Sequence, residues 1–130
     1  MINAKSLGVY EIIGQTLDDA VGEAFDKVAK ILDLGYPGGP KIEALSNQGN
    51  SLAYDFPRPM INKDNFDFSF SGLKTAVLTL VKKQPELTDI IKANIAASFQ
   101  ESITEVLIYK TLKAMNSLNL NQIVVSGGVG

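Results

Sequence analysis

Apolar residues recur at spacings of three and four in three long stretches of the chain, and that period predicts helices. The first stretch runs from Thr16 to about Gly35. Leu17, Val21, Ala24, Val28 and Ile31 or Leu32 share one face, while Asp19, Gly22, Glu23, Asp26 and Lys30 lie opposite. Thr16 is placed to cap this helix, with Asp19 as the third residue reaching back toward the cap. The second starts at Ser71, a capping type, gathers Leu73, Ala76, Val77, Leu80 and Val81 on one side, and ends with Lys82 and Lys83 where cations suit the helix dipole. Pro85 separates it from the third, in which Leu87, Ile90 or Ile91, Ile95, Phe99, Ile103, Val106 or Leu107, Leu112 and Met115 repeat, with Thr88 as an internal start. One long helix, or two with a bend, fits, and its polar face is mixed in sign and reads as solvated.

Between these stretches the pattern changes. Ser6 to Ile13 sets Val9, Tyr10, Ile12 and Ile13 between glycines and reads as a short strand or hairpin arm. A short helix is expected from Pro40 to about Ser46. Asn47-Gln48-Gly49-Asn50-Ser51 is turn-forming, and Phe56-Pro57-Arg58-Pro59 must be extended because proline restricts the residue before it. The simple reading of that tract is a rigid connector; the functional one makes Arg58 a phosphate or tRNA contact. Phe66-Asp67-Phe68-Ser69-Phe70-Ser71 alternates with period two, so three phenylalanines share a face, as core or as a platform for bases. Gln122 to Ser126 reads as a buried strand followed by Gly127-Gly128. The result is a mainly helical segment of four or five helices with short strands at both ends. Those strands should pair with each other, pair with a second copy to give a homodimer through exposed edges, or stay unordered.

The candidate chemistry gathers around Asp26. Gly22 lies one turn before it, and glycine inside a helix costs roughly 1 kcal/mol relative to alanine. Either something approaches the helix surface beside Asp26, or the glycine serves tight packing against a neighbouring helix, which is the commoner cause. In Tyr36-Pro37-Gly38-Gly39-Pro40, Pro40 is suited to open the next helix and Gly39 to cap it, with Glu43 about one turn inside. Such a start exposes backbone N–H groups with no side chain to block an approaching anion or ribose. Lys74, in the first turn of its helix, opposes the dipole, which suggests an acidic or phosphate partner or else simple solvation.

Composition narrows the chemistry. The chain has 130 residues, 45% of them hydrophobic, enough for one domain with a core. It contains neither cysteine nor histidine, so disulfides, Cys or His zinc sites and histidine bases are excluded within it. A net charge of −2 argues against a general nucleic-acid surface while leaving room for a local basic patch. No apolar run is long enough to span a membrane, and the start lacks the pattern of a signal peptide, which favours a cytoplasmic reading.

Asp18-Asp19-Ala20-Val21-Gly22-Glu23-Ala24-Phe25-Asp26-Lys27, Tyr36-Pro37-Gly38-Gly39-Pro40, Phe56-Pro57-Arg58-Pro59-Met60, Asp67-Phe68-Ser69-Phe70-Ser71-Gly72-Leu73-Lys74-Thr75-Ala76 and Val125-Ser126-Gly127-Gly128-Val129 resemble, in this order, the TsaD family. The resemblance implies a tRNA threonylcarbamoyl transferase, of the group formerly labelled O-sialoglycoprotein endopeptidases or glycoproteases, acting on the adenosine beside the anticodon. It implies an α/β parent with the two-lobed actin and sugar-kinase fold, of which residues 1–130 are an internal segment, a helical insertion plus edge strands. Asp26, Gly39 and Glu43 match positions that contact the nucleotide or threonylcarbamoyl-adenylate, the Asp and Glu bonding ribose hydroxyls. The family's divalent metal, iron or zinc, is held by histidines in a His-x-x-x-His helix that this chain lacks, so no metal ligand and no catalytic residue is assigned here, and the chain alone is expected to be inactive. Implied partners are ATP or threonylcarbamoyl-adenylate, tRNA and, in a bacterium, TsaB- and TsaE-type proteins. The alternative from another class is a non-catalytic helical scaffold or interaction module. The old protease label would itself require the metal site.

Overall fold

In a computed structural model, residues 1–6, 9–12 and 14–119 are described. Strands β1 (Ile2–Ser6) and β2 (Val9–Ile12) form an antiparallel hairpin that pairs Ile2 with Ile12 and Ala4 with Tyr10, with an irregularity between Ala4 and Ser6. The N-terminal strand therefore pairs with its own neighbour in sequence. The expected strand at Gln122–Ser126 lies outside the described residues. Helices α1 (Val21–Ile31), α2 (Gly38–Ser46), α3 (Ser71–Lys83) and α4 (Asp89–Ser117) make up the body, so the described part is mainly helical.

The third periodic stretch is one continuous helix. Thr88 caps α4 by accepting the Ile91 N–H at 3.2 Å, and the 29 residues span about 43 Å at 1.5 Å per residue. Its buried stripe of Ile95, Phe99, Ile103 and Val106 is the spine of the core, on which Phe25, Val28, Leu32, Ile42, Phe70, Leu73 and Val77 close from the other helices. Phe25 meets Phe99 edge to face at 5.1 Å, which ties α1 to the middle of α4. Burying each such ring stabilises the fold by about 1.5–3 kcal/mol. Two residues of the periodic pattern depart from it. Leu112 is 59% exposed, and Lys110, on the face read as solvated, is completely buried.

The first helix starts later than the sequence suggests. Thr16 does not cap it: the Thr16 hydroxyl donates to the Asp19 carbonyl at 2.7 Å, and residues 15–17 pair in parallel with Phe68 instead. Leu17, read as part of the buried face, is 61% exposed. The helix opens at Val21 from an extended Ala20 and closes at Asp33, before Gly35. Asp33 takes φ 59°, its N–H donates to Lys30 O and the Leu34 N–H reaches back to Ala29 O at 2.8 Å, the Schellman arrangement with aspartate in the left-handed position glycine usually takes.

Residues 50–67 form a connector that is free of helix and strand, made largely of turns and bends around the segment 55–58, and α4 holds it by a run of polar side chains. The Asn94 amide oxygen accepts from Asn50 N–H, Ser98 Oγ accepts from Tyr54 N–H and donates to Asn50 O, and Glu105 pairs with Arg58 at 3.0 Å. Farther along, Lys110 Nζ donates to Asp67 O and to Asn65 Oδ1. Gly49 opens this run because a Cβ there would lie 2.0 Å from Ala93 O. Phe68 and Phe70 are buried and stacked with centroids 5.8 Å apart, and Lys110 lies over the Phe68 ring. That burial decides for core over a base-stacking platform.

Candidate functional site

The α1–α2 corner carries the three residues singled out for ligand contact. On α1, Asp26 sits at the flank of the buried stripe formed by Ala24, Phe25, Val28 and Ala29, and it is half-buried. Its Oδ1 accepts the Gly38 N–H at 2.8 Å. That bond explains why α2 begins at Gly38 and not at Pro40, with Pro37, not Gly39, as its N-cap. Proline in the first turn is harmless because that position needs no N–H. A helix start leaves its first N–H groups unpaired. Here Pro37 and Pro40 have none, Gly38 gives its own to Asp26, and the Gly39 N–H is left without a partner among the described residues.

The fit at Gly38 is close. A Cβ on Gly38 would stand 2.6 Å from Phe25 O and 2.7 Å from Asp26 Cα, so α2 seats directly on the backbone of α1. Gly39 and Glu43, four residues apart, then share one flank of α2 while Ile42 is buried beneath. Glu43 is exposed, and its carboxylate, like Asp26 Oδ2, has no partner among the described residues. The structure therefore brings Asp26 against the glycine pair and places Glu43 one turn farther along the same side. An acceptor oxygen, a backbone donor and a second carboxylate suit a ligand with both hydroxyl groups and an acceptor oxygen, as a ribose or its phosphate offers.

Gly22 is resolved against the packing explanation: a Cβ there would meet no atom within 4 Å. It is also the second residue of α1, where the penalty of an interior glycine does not apply. What remains is an unobstructed surface one turn before Asp26.

The charges around the corner are otherwise occupied. Lys27 pairs with Asp19 at 2.7 Å and with Glu23 at 3.3 Å, and these bonds, the one to Asp19 first, raise its pKa above 10.5 against the opposing effect of burial. Asp26 takes no part in that pairing. Asp18 was missed by sequence reasoning as a structural residue. Its carboxylate accepts from Ser69 Oγ, Phe70 N–H and Ser71 N–H, and so supplies the cap of α3 across a separation of 51 to 53 positions in sequence. Burial alone would raise its pKa; the bonds from Ser69, Phe70 and Ser71 outweigh it and hold the group below 3.8. Arg58, the alternative phosphate contact, is engaged by Glu105, Asp55 and the Phe56 carbonyl, in keeping with the connector reading. Lys74 makes no ion pair among the described residues.

A cavity of about 490 Å³ lies on the opposite flank of α2, lined by Leu34, Pro37, Lys41, Ala44 and Gln48 among others. None of Asp26, Gly39 or Glu43 lines it, so it is separate from the corner. Among the described residues no three acidic side chains converge as a metal site would require, and no helix is long and apolar enough to cross a membrane.

Comparison with known proteins places this geometry in a family. The model for TsaD, tRNA N6-adenosine threonylcarbamoyltransferase, matches residues 1–130. Proteins of that name from Methylobacillus flagellatus and Syntrophotalea carbinolica are 54% and 55% identical to 100% and 99% of this chain. One from Thermosipho melanesiensis is 54% identical over 92% of it. The aligned parts make up 39%, 38% and 36% of those relatives, so the chain spans well under half their length. A match of the family model to all 130 residues, joined to relatives that share more than half of their aligned residues with it, means that this chain belongs to the TsaD family.

Proposed function

We propose that the chain forms one wall of the nucleotide cleft in a tRNA N6-adenosine threonylcarbamoyltransferase. The observation that carries this is the division of labour at Asp26. One carboxylate oxygen accepts the Gly38 N–H at the start of α2, and the other, like the Gly39 N–H and the Glu43 carboxylate, has no partner among the described residues. In this reading Asp26 and Glu43 accept hydrogen bonds from ribose hydroxyls of ATP or threonylcarbamoyl-adenylate, and the Gly39 N–H donates to an oxygen of the same ligand. The reaction forms a bond from the adenosine N6 of tRNA to the carbamoyl carbon, breaks the bond between that carbon and the adenylate's phosphate oxygen, and releases AMP together with one N6 proton. The chain's part is to bind and orient the nucleotide end of the donor.

The parent fold in this proposal is the two-lobed actin-like type, with residues 1–130 as part of one domain, and the setting is cytoplasmic, with TsaB- and TsaE-type proteins as partners. The metal the family implies, iron or zinc, would polarise the carbamoyl carbonyl. The described residues here do not fit it, since no three potential ligands converge among them.

A scaffold role is the competing reading, favoured by the Asp26–Gly38 bond, which gives Asp26 structural work without any ligand. Calorimetric titration of ATP into the intact enzyme carrying this segment separates the two through Asp26→Asn, which keeps an oxygen for Gly38 and removes the charge. A weakened Kd at unchanged melting temperature supports the nucleotide site; an unchanged Kd supports the scaffold. Titrated into the 130-residue chain alone, ATP should bind with millimolar affinity or not at all, about 4 kcal/mol or less, because a single wall encloses little of a ligand.

A further inference from the structure

We propose that Gly38 is a positioning residue for nucleotide binding, because its missing side chain sets the spacing at which Asp26, Gly39 and Glu43 meet one ligand. The proposal rests on the reading of the α1–α2 corner as a nucleotide site. Two independent features of Gly38 point the same way. Its N–H donates to Asp26 Oδ1 at 2.8 Å, which restrains the carboxylate and leaves Oδ2 without a partner among the described residues. Its Cα lies so close to α1 that any Cβ would enter the space of Phe25 O, Asp26 Cα and Asp26 N, at 2.6, 2.7 and 2.8 Å.

All three obstructing atoms belong to the backbone, so no side chain can turn aside to make room. Adding a methyl group must move α2 off α1 by roughly 1 Å, since interiors are packed too densely to absorb it locally. Gly39 is the next residue and Glu43 follows on the same helix, so both move with α2 while Asp26 stays on α1. The cost falls on the geometry between the two helices. Buried Ile42, on the same seam, supports packing without setting that distance, because its side chain can shrink without changing how closely the backbones approach.

The experiment compares Gly38→Ala and Ile42→Val in the intact enzyme carrying this segment, with Kd for ATP by calorimetry and melting temperature on the same samples. Gly38→Ala should raise Kd about tenfold or more, as a displacement of roughly 1 Å in a site does. Ile42→Val should lower the melting temperature while changing Kd by less than about twofold. A Gly38→Ala enzyme that melts lower but binds ATP normally would overturn the proposal, as would an equal loss of affinity in Ile42→Val. Asp26→Asn separates this failure from that of the underlying reading. If Asp26→Asn weakens binding and Gly38→Ala does not, the positioning role alone falls; if neither changes Kd, the nucleotide site falls with it. Should Gly38→Ala not fold, hydrogen exchange on the unsubstituted enzyme decides. A Gly38 N–H protected before ATP is added supports a preset corner, and one that exchanges freely until ATP binds means the ligand organises it.

Discussion

The connector along α4 and the corner between α1 and α2 are built from opposite kinds of contact. The connector sinks Phe56 into the core, with Tyr54 and Ile61 packed against it, and is otherwise held by side chains of one helix bonding to its backbone, at Asn94, Ser98, Ser102 and Lys110. The corner is held by shape, with one charge-assisted bond, Asp26 to Gly38, and a glycine that lets two backbones touch. Asn94, Ser98, Ser102, Glu105 and Lys110 of α4 each find a partner in the connector. At the corner an oxygen, an N–H and a carboxylate are left unpaired among the described residues. The difference separates two uses of polar groups: in the connector they hold a loop to a helix, and at the corner the unpartnered ones are the groups that the proposed nucleotide contact would use.

Phe99→Ala should have the largest effect and should not distinguish the two regions, since the ring lies beneath both. A loss of about 3–5 kcal/mol in denaturant unfolding is expected, enough to unfold a marginal domain. Ser98→Ala should strike the connector alone. It leaves the Tyr54 N–H without its acceptor at a cost of about 1–3 kcal/mol, read as a lower melting temperature with ATP affinity unchanged. Asp26→Ala should strike the corner alone. Removing the bond at the start of α2 costs about 1 kcal/mol of stability, and losing the charged acceptor costs about 1.5–3 kcal/mol of ATP binding, so calorimetry should show more than thermal melting does. If Asp26→Ala melted far lower with unaltered affinity, the corner's polar groups would only hold structure too, and the contrast would collapse.

Acid should act on a third point, the Asp18 cap of α3. Its folded pKa lies below the unfolded value of 3.8, so its stabilisation is present above that value and is lost as pH falls through the folded pKa. Asp18→Asn should flatten this acid limb in melting curves followed from neutral pH down into the acid range below the ordinary carboxylate pKa. The smallest effect belongs to Arg58→Ala, under about 1 kcal/mol, because its partners Asp55 and Glu105 are largely in water.

What could be read from the sequence was local. Thr88 caps the helix it precedes, Pro85 ends the one before, and the period from Ile95 to Val106 is carried by neighbours a turn apart. The nearness of Asp26 to the Gly38-Gly39 turn was also legible, because the two sit on adjacent elements joined by a short turn, although the bond is made by Gly38. Misread features depended on partners far along the chain. Thr16 was diverted from capping by pairing with Phe68, Asp18 caps a helix that starts at Ser71, and Lys110 is covered by residues 65–68. A polar face in sequence reads as solvated unless one knows which loop lies over it. Gly22 was misjudged because moving the helix start to Val21 changed its position from interior to first turn.

Lys110 turns the packing of α4 into something that can be timed. It alone among the described lysines has no exposed surface, and burial, with help from Lys113 and against the pull of Asp67, draws its pKa below 10.5. An amine-reactive reagent such as an acetylating ester should therefore label the other described lysines first and reach Lys110 only when residues 65–68 lift away. Once uncovered, this amine is an ordinary nucleophile, so the rate at which mass spectrometry finds it labelled reports how often the connector leaves α4, with the surrounding lysines as an internal standard.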